Sequence, residues 1–363
     1  MSAYRFNSSL IRRPWKTDLR SFLAGLSLMT GLLFQTSGAA QSQSTSSNTW
    51  TVTIVLPARV VAGRPATLAV LGVDGRLASD VMVELEDGQR VATDASGRAS
   101  FTAPSSGSVL IAKASGSSAA ALVDSNPPEN ARDAIWAPAT ASLHEPFTVC
   151  GSRFRSEADT NHVRLNLEPA LVLAASQECL AVLPNSKALP GLAEISIQAP
   201  SGQWTAQTTL VALDSAFPRP ALLPGQKGQL VVSVRGSSQP LRVVLENQTP
   251  GILHLLKGDL QELSTSGGAQ NFAAVEVKAI RSGDFSLAAR LAPSPDENAA
   301  RRYLSAAASL AAKRDQHDIG RIAKQLERNP RNLDGLRRDL DRVLAQTIEG
   351  DLRTLLAAAR TAL

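Results

Sequence analysis

The chain has 363 residues, with 37 Lys or Arg and 32 Asp or Glu, and its formal net charge is +5. This length exceeds that of one ordinary domain. The first forty residues hold five of the basic residues and one of the acidic residues, so the rest carries 32 and 31, a net charge of about +1. A nucleic-acid binder concentrates basic residues on one face. We therefore predict no nucleic-acid partner.

The N-terminal segment has the order of a secretory signal peptide. An apolar run at 21–34 and small residues at 36–40 follow a region that contains the basic residues Arg5, Arg12, Arg13, Lys16 and Arg20. A membrane anchor needs about 20 apolar residues, and this run is shorter and contains Gly25 and Gly31. We predict a signal peptide over residues 1–40, which directs export by either the general secretory or the twin-arginine route. The mature protein is then periplasmic or extracellular, with no membrane span.

Residues 49–124 are predicted to form a β-sandwich, after a flexible Ser, Thr and Gln leader at 41–48. Short β-rich runs at 51–56, 66–70, 81–85 and 99–102 alternate with the turn dipeptides Asp74-Gly75, Asp87-Gly88 and Ser96-Gly97. The stretch LEDGQRVATDASGRASFTAP, which begins at Leu85, resembles bacterial Ig-like and prealbumin-like repeat modules. A joint rich in Pro and Asn follows at 124–130. We interpret it as a turn-forming linker, with an interdomain calcium clamp as the alternative.

Residues 131–214 contain the motifs PATASLHEPFTVCGSRF, VRLNLEPALVLAASQECLAVLP and GLAEISIQAPSGQ. This segment resembles an IPT/TIG domain, an Ig-like fold of cell-surface receptors, surface enzymes and some transcription factors. The matching positions are Pro138, Gly151, Phe154, Leu183, Pro184, Gly191, Ser201 and Gly202. The segment departs from the pattern at 143–145, where Leu, His and Glu occupy a turn that is usually glycine-rich. The resemblance implies a fold and little about function.

The two cysteines of the chain, Cys150 and Cys179, both lie in this segment. An even number of cysteines in an exported domain favours a disulfide over two buried thiols. The IPT/TIG resemblance places the pair on strands that are plausible neighbours.

A third β-sandwich is predicted over residues 221–292, with strands at 229–234, 241–246, 273–279 and 285–291. Its segment 252–263 fits a strand or a helix equally well. Together these segments indicate a mainly β protein, in which tandem Ig-like β-sandwich modules precede a C-terminal α-helical segment.

The helical segment covers residues 294–363. Ser294, Pro295 and Glu297 form a typical helix start, which predicts a helix over 295–313 and a second one to 327. A third begins near Asn332 and carries one apolar stripe, formed by Leu333, Leu336, Leu340, Val343, Leu344, Ile348, Leu352 and Leu355. This stripe predicts a helical hairpin or a helix packed on the third sandwich, and self-association or partner binding is the alternative.

We identify no catalytic, metal-binding or cofactor-binding residues, and predict that the protein is not an enzyme. The four histidines, His144, His162, His254 and His317, are scattered without metal-ligand spacing. No nucleophile elbow or phosphate loop is present. Carbohydrate binding has weak support, because Trp50, Trp136 and Trp204 are more simply explained as core residues.

Two functions fit these features. The first is a non-enzymatic exported interaction, scaffold or adhesion-type protein that binds a protein or surface polymer. The second is an accessory subunit of a cell-surface enzyme or of a secretion or envelope complex.

Overall fold

A computed structural model describes residues 52–125, 135–217, 222–258, 260–329, 332–347 and 350–363. The predicted signal peptide, the leader and most of the first linker lie outside these residues. In the described part of the chain, strands of three successive β-sandwiches are followed by four helices.

The first sandwich consists of a sheet of β1, β3 and β6 and a sheet in the order β2, β8, β7, β4 and β5. Its inward residues form one apolar core that includes Leu68, Phe101 and Leu110. The strands are β1 Thr53–Val55, β2 Arg59–Val61, β3 Pro65–Leu71, β4 Met82–Leu85, β5 Arg90–Ala92, β6 Arg98–Thr102, β7 Val109–Ala114 and β8 Ser117–Asp124.

The predicted turn dipeptides form tight turns because their glycines have positive φ. Gly75, Gly88 and Gly97 have φ angles of 75°, 85° and 71°, which only glycine adopts at low cost. Gly97 is also sterically required, since an added Cβ would lie 2.6 Å from Cβ of Leu77.

The second sandwich has its own core, which includes Phe147, Leu180 and Ile195. One sheet contains β11, β14, β15, β9 and the start of β12, and the other contains β10, β13 and the rest of β12. The strands are β9 Thr140–Ser142, β10 Phe147–Cys150, β11 His162–Leu165, β12 Glu168–Ala175, β13 Cys179–Leu183, β14 Gly191–Ala199 and β15 Gly202–Ala216, with a 3₁₀ turn at Ala158–Thr160.

The third sandwich begins on a strand that it shares with the second. The last residues of β15 pair with β16, which pairs with β20, which in turn pairs with β18. The facing sheet has the order β19, β17, β21. The strands are β16 Lys227–Arg235, β17 Arg242–Asn247, β18 Leu253–Leu255, β19 Leu260–Ser264, β20 Asn271–Ala279 and β21 Leu287–Leu291. The ambiguous segment 252–263 therefore contains two strands.

The four helices are α1 Glu297–Leu310, α2 Lys313–Arg328, α3 Leu333–Gln346 and α4 Gly350–Ala362. The predicted start at Pro295 is wrong by two residues. Asp296 is the N-cap, and its side chain accepts a hydrogen bond from the N–H of Ala299. The predicted third helix is divided into α3 and α4, because the backbone at Thr347 is extended, with φ −87° and ψ 120°. Ile348 lies outside the described residues.

The helices pack on one another, as the predicted helical hairpin requires, and their shared apolar cluster lies on the first sandwich instead of the predicted third one. Ile111 of β7 and Leu122 of β8 join the same apolar cluster as Leu304, Leu340 and Leu355 of the helices. The physical reason lies in β7 and β8, which bury residues on both faces. Leu110 faces the core of the sandwich, whereas Ile111 faces the helices. The C-terminal segment therefore covers the outer face of the N-terminal sandwich.

Candidate binding groove and interdomain junction

The two cysteines are joined by a disulfide. They are paired residues of the neighbouring strands β10 and β13. The turn before Cys179 is held by Ser176, whose Oγ accepts a hydrogen bond from the N–H of Cys179 at 2.9 Å and donates one to the backbone oxygen of Arg59 at 2.7 Å. The disulfide therefore fixes a turn that contacts the first sandwich.

A groove of about 570 Å³ lies where Arg98 of the first sandwich meets the outer sheet face of the second. Two cross-strand rows form its floor, because residues paired across a sheet point to the same face. In one row His162 is paired with Gln198 and Gln198 with Gln203. In the other, Arg164 lies between Pro169 and Ser196.

Arg98 forms the wall of the groove and connects two sandwiches. It is 7% exposed, and it donates a hydrogen bond to the backbone oxygen of Val172 at 2.7 Å and pairs with Asp159 at 3.0 Å. The preceding turn positions it: the carboxylate of Asp94 accepts hydrogen bonds from Ser96 and from the backbone N–H of Arg98. These hydrogen bonds, first of all the one from the Ser96 hydroxyl, lower the pKa of Asp94.

Two basic side chains of the floor are available to a ligand. Within the described parts of the chain, the side chains of His162 and Arg164 make no hydrogen bond or ion pair, and both are exposed. They stand two residues apart on β11 and so share a face. Sequence analysis missed this pair, because a histidine and an arginine on an exposed strand face are ordinary surface residues.

The other residues considered in the sequence do not converge on this groove. His144, His254 and His317 are absent from its lining. Trp204 packs edge to face on Phe154 in the second sandwich. Trp136 is 57% exposed, which contradicts the expected core position, and Trp50 lies outside the described residues. Among the described residues, no group of three His, Cys, Asp or Glu side chains could hold a metal ion, and no helix is long and apolar enough to span a membrane.

A second polar cluster, the interdomain junction, joins the first sandwich, the second sandwich and α1. Its residues are Arg59, Asp124, Glu178 and Arg302. Asp124, at the end of β8, pairs with Arg59 at 3.5 Å and with Arg302 of α1. Arg302 also donates to the backbone oxygen of Ser108 at 2.9 Å. Both carboxylate oxygens of Asp124 are thus paired with arginines. In the alternative prediction of a calcium clamp, these oxygens would have been calcium ligands.

Glu178 is the least satisfied member of the junction. It is 3% exposed, and within the described residues no donor reaches either carboxylate oxygen. Burial, followed by the neighbouring Asp124, raises the pKa of Glu178 to about 7, against the opposing charges of Arg59 and Arg302. Sequence analysis missed Glu178 because it occupies a turn between two strands, where a glutamate is normally solvated.

A third cluster connects the helices to the third sandwich. Arg337 of α3 is 4% exposed and pairs with Glu262 of β19 at 3.4 Å and with Asp334 at 3.1 Å. It also donates a hydrogen bond to the backbone oxygen of Leu363. The helices are therefore bonded to both the first and the third sandwich.

Comparison with known proteins gives similarity to solved structures, several of which consist of Ig domains. No family model matches the chain, and no curated protein matches it. Similar solved structures include the N-terminal four Ig domains of a Dscam1 isoform, at 11% identity over 64% of this chain and 73% of that chain, with a TM-score of 0.21. The I9–I11 tandem of titin has 10% identity, coverage of 66% and 95%, and a TM-score of 0.18.

The extracellular region of plexin A4 has 9% identity, coverage of 65% and 32%, and a TM-score of 0.25. TM-scores this low add no weight to any argument about mechanism or partner. The predicted fold class is confirmed by the structure itself: the described part of the chain is mainly β, with β-sandwiches followed by four helices. The more specific IPT/TIG resemblance stays a prediction.

Proposed function

We propose that the chain is an exported, non-enzymatic interaction protein with an IPT/TIG-type second module, and that the groove beside Arg98 is its binding site. The disulfide supports export, because disulfides persist in oxidising compartments. The IPT/TIG assignment has support from Gly151, where an added Cβ would lie 2.9 Å from Ile135 and 3.1 Å from Phe154. This close approach accounts for a glycine three residues before Phe154, two of the positions that match the IPT/TIG pattern.

One observation supports this binding site above all. The basic side chains of His162 and Arg164 line the groove and have no hydrogen-bond or ion-pair partner among the described residues. The wall at Arg98 is bonded to the second sandwich, and Ala175 of β12 pairs with Thr67 of β3 in a sheet common to both sandwiches. A preformed site binds more tightly because little ordering entropy is lost on binding.

The chemistry of the groove fits an acidic peptide segment of a protein partner. Arg164 can form two parallel hydrogen bonds with a carboxylate, and His162 stands on the same face. Leu171, which is 42% exposed, and Pro169 offer apolar contact beside this pair. A sugar polymer is less suited, because the described residues of the lining include no Phe, Tyr or Trp ring on which a sugar could stack.

Arg164→Glu should abolish the binding of the partner. The test is chemical cross-linking and co-purification of the tagged, exported protein from its native envelope, with wild type, Arg164→Glu and Lys187→Glu compared. Lys187 is an exposed cation of the same sandwich outside the groove, so Lys187→Glu makes the same change of charge elsewhere.

We expect a protein that is captured by wild type and Lys187→Glu and lost from Arg164→Glu. An identical set of captured proteins in all three samples would remove the groove as the binding site. If wild type captures a polysaccharide in place of a protein, and Arg164→Glu loses it, the proposed ligand class is contradicted.

A further inference from the structure

We propose that Glu178 is protonated in the folded protein and donates a hydrogen bond to Asp124, so that a carboxyl pair closes the interdomain junction in a pH-dependent manner. The proposal does not depend on the binding groove.

The position of Glu178 is fixed by its backbone and by its burial. Its backbone oxygen accepts a hydrogen bond from Gly151 at 2.8 Å, and its N–H donates to Ser176 at 3.2 Å. The side chain is thereby held inside the junction, where no donor of the described residues reaches its oxygens. A buried carboxylate without donors is strongly unfavourable, whereas a neutral carboxyl group carries its own donor.

Asp124 is the acceptor, because both of its oxygens are paired with arginines. Arg59 of β2 contacts Oδ2 and Arg302 of α1 contacts Oδ1. Two adjacent carboxylates then share one proton, which resides on the member farther from a cation. Among the described residues, no ion pair joins Glu178 to either arginine, and Glu178 therefore holds the proton.

The charged groups around Glu178 come from three elements. Asp124 lies on β8 and Arg59 on β2, and Arg302 lies on α1. Asp296, the N-cap of α1, pairs with the other terminal nitrogen of Arg59 at 3.3 Å. Ionisation of Glu178 would place a second negative charge beside Asp124 at the point where two sandwiches and α1 meet. The junction is thus expected to loosen as Glu178 ionises.

The sign of the pH dependence follows from linkage. The pKa of Glu178 is about 7 in the folded protein, above the ordinary value of 4.5. The folded state therefore holds a proton that the unfolded state has lost, and stability falls as the pH rises between these values. The unfolding equilibrium constant should rise by up to about tenfold per pH unit in that window and level off above it.

Glu178→Gln tests the proposal, because the amide of glutamine donates a hydrogen bond to Asp124 at every pH. Urea unfolding of wild type and variant should be compared from pH 5 to pH 8. We expect the wild type to lose stability relative to Glu178→Gln by about tenfold per pH unit up to about pH 7. A stability difference that is independent of pH would overturn the proposal.

Hydrogen exchange at a single amide tests whether the pH dependence of stability arises at the interdomain junction. After correction for intrinsic rates, the Gly151 amide should exchange faster at pH 8 than at pH 5 in wild type and equally at both in Glu178→Gln. Glu145→Gln is the control, since burial also raises the pKa of Glu145 to about 7 but its neighbouring cation is Arg290. Glu145→Gln should keep the wild-type behaviour of Gly151, and loss of that behaviour would contradict the assignment.

A measurement on the unmodified protein covers the case in which Glu178→Gln does not fold. The ¹³C shift of the Glu178 carboxyl carbon can be followed by NMR from pH 4 to pH 9. A midpoint near 7 supports the proposal, and a midpoint near 4.5 overturns it.

Discussion

Arg337→Ala should lower the free energy of unfolding by about 1–3 kcal/mol. The guanidinium group is 4% exposed and is shared between Glu262 of the third sandwich, Asp334 and the backbone oxygen of Leu363. Its removal leaves Arg242 as the cationic partner of Glu262 and takes a hydrogen-bond donor from the backbone oxygen of Leu363. A buried acceptor that loses its donor costs about 1–3 kcal/mol. Urea unfolding followed by circular dichroism measures the change.

Arg338→Ala is the matched control for Arg337→Ala. Arg338 is the next residue of α3 and is exposed, and its side chain bonds the backbone oxygen of Asp334 at 3.3 Å. A surface truncation of this kind changes stability by about 0.5 kcal/mol or less. Equal effects of the two substitutions would show that Arg337 does not join the helices to the third sandwich.

Replacing both cysteines by serine should cost about 3–4 kcal/mol of stability. Cys150 and Cys179 are 29 positions apart, and closure of a loop of this length reduces the entropy of the unfolded chain. The bridge also holds the turn that carries Glu178 and Ser176, so its loss should weaken the interdomain junction as well. Thermal unfolding of wild type and of the Cys150→Ser, Cys179→Ser double variant measures this loss of stability.

Wild type in the presence of a thiol reductant should unfold like the double variant, which separates loss of the bridge from any effect of serine. Mass spectrometry of the unreduced exported protein should find the two cysteines linked. Free thiols on both residues, or a loss below about 1 kcal/mol, would contradict a structural role for the bridge.

The sequence was sufficient for the sandwiches and insufficient for their assembly. Dipeptides such as Asp87-Gly88 predict turns because glycine adopts positive φ cheaply, and the alternation around Val83 predicts one buried face. These are local properties of the chain. The joint between the sandwiches and the helices depends on contacts between residues more than 200 positions apart, such as Lys113 and Asp351.

One signal of that assembly was present in the sequence. The run from Ala119 to Val123 in β8 is continuously apolar, and strands of this kind are buried on both faces. It indicated that a further element covers the first sandwich, although the identity of that element could not be derived. The start of α1 depended likewise on distant contacts, because the carboxylate of Asp296 also pairs with Arg59 of the first sandwich.

The groove and the junction were harder to predict than the fold. Glu178 and Arg98 are charged residues that the sequence places in or beside turns, yet both are buried between sandwiches. Their burial comes from the approach of two modules rather than from either module alone. Composition and periodicity report the environment within a module, so they contain no information on such residues.

The most direct test of this arrangement is zero-length cross-linking of the unmodified protein with a carbodiimide. The ammonium group of Lys113 on β7 lies 2.7 Å from a carboxylate oxygen of Asp351 on α4. If the C-terminal helices cover the first sandwich, an amide bond should link these side chains within one chain, and mass spectrometry should detect the joined peptides from monomeric protein. Cross-links from the helices to the third sandwich alone, or a Lys113–Asp351 link found in dimers alone, would contradict the account.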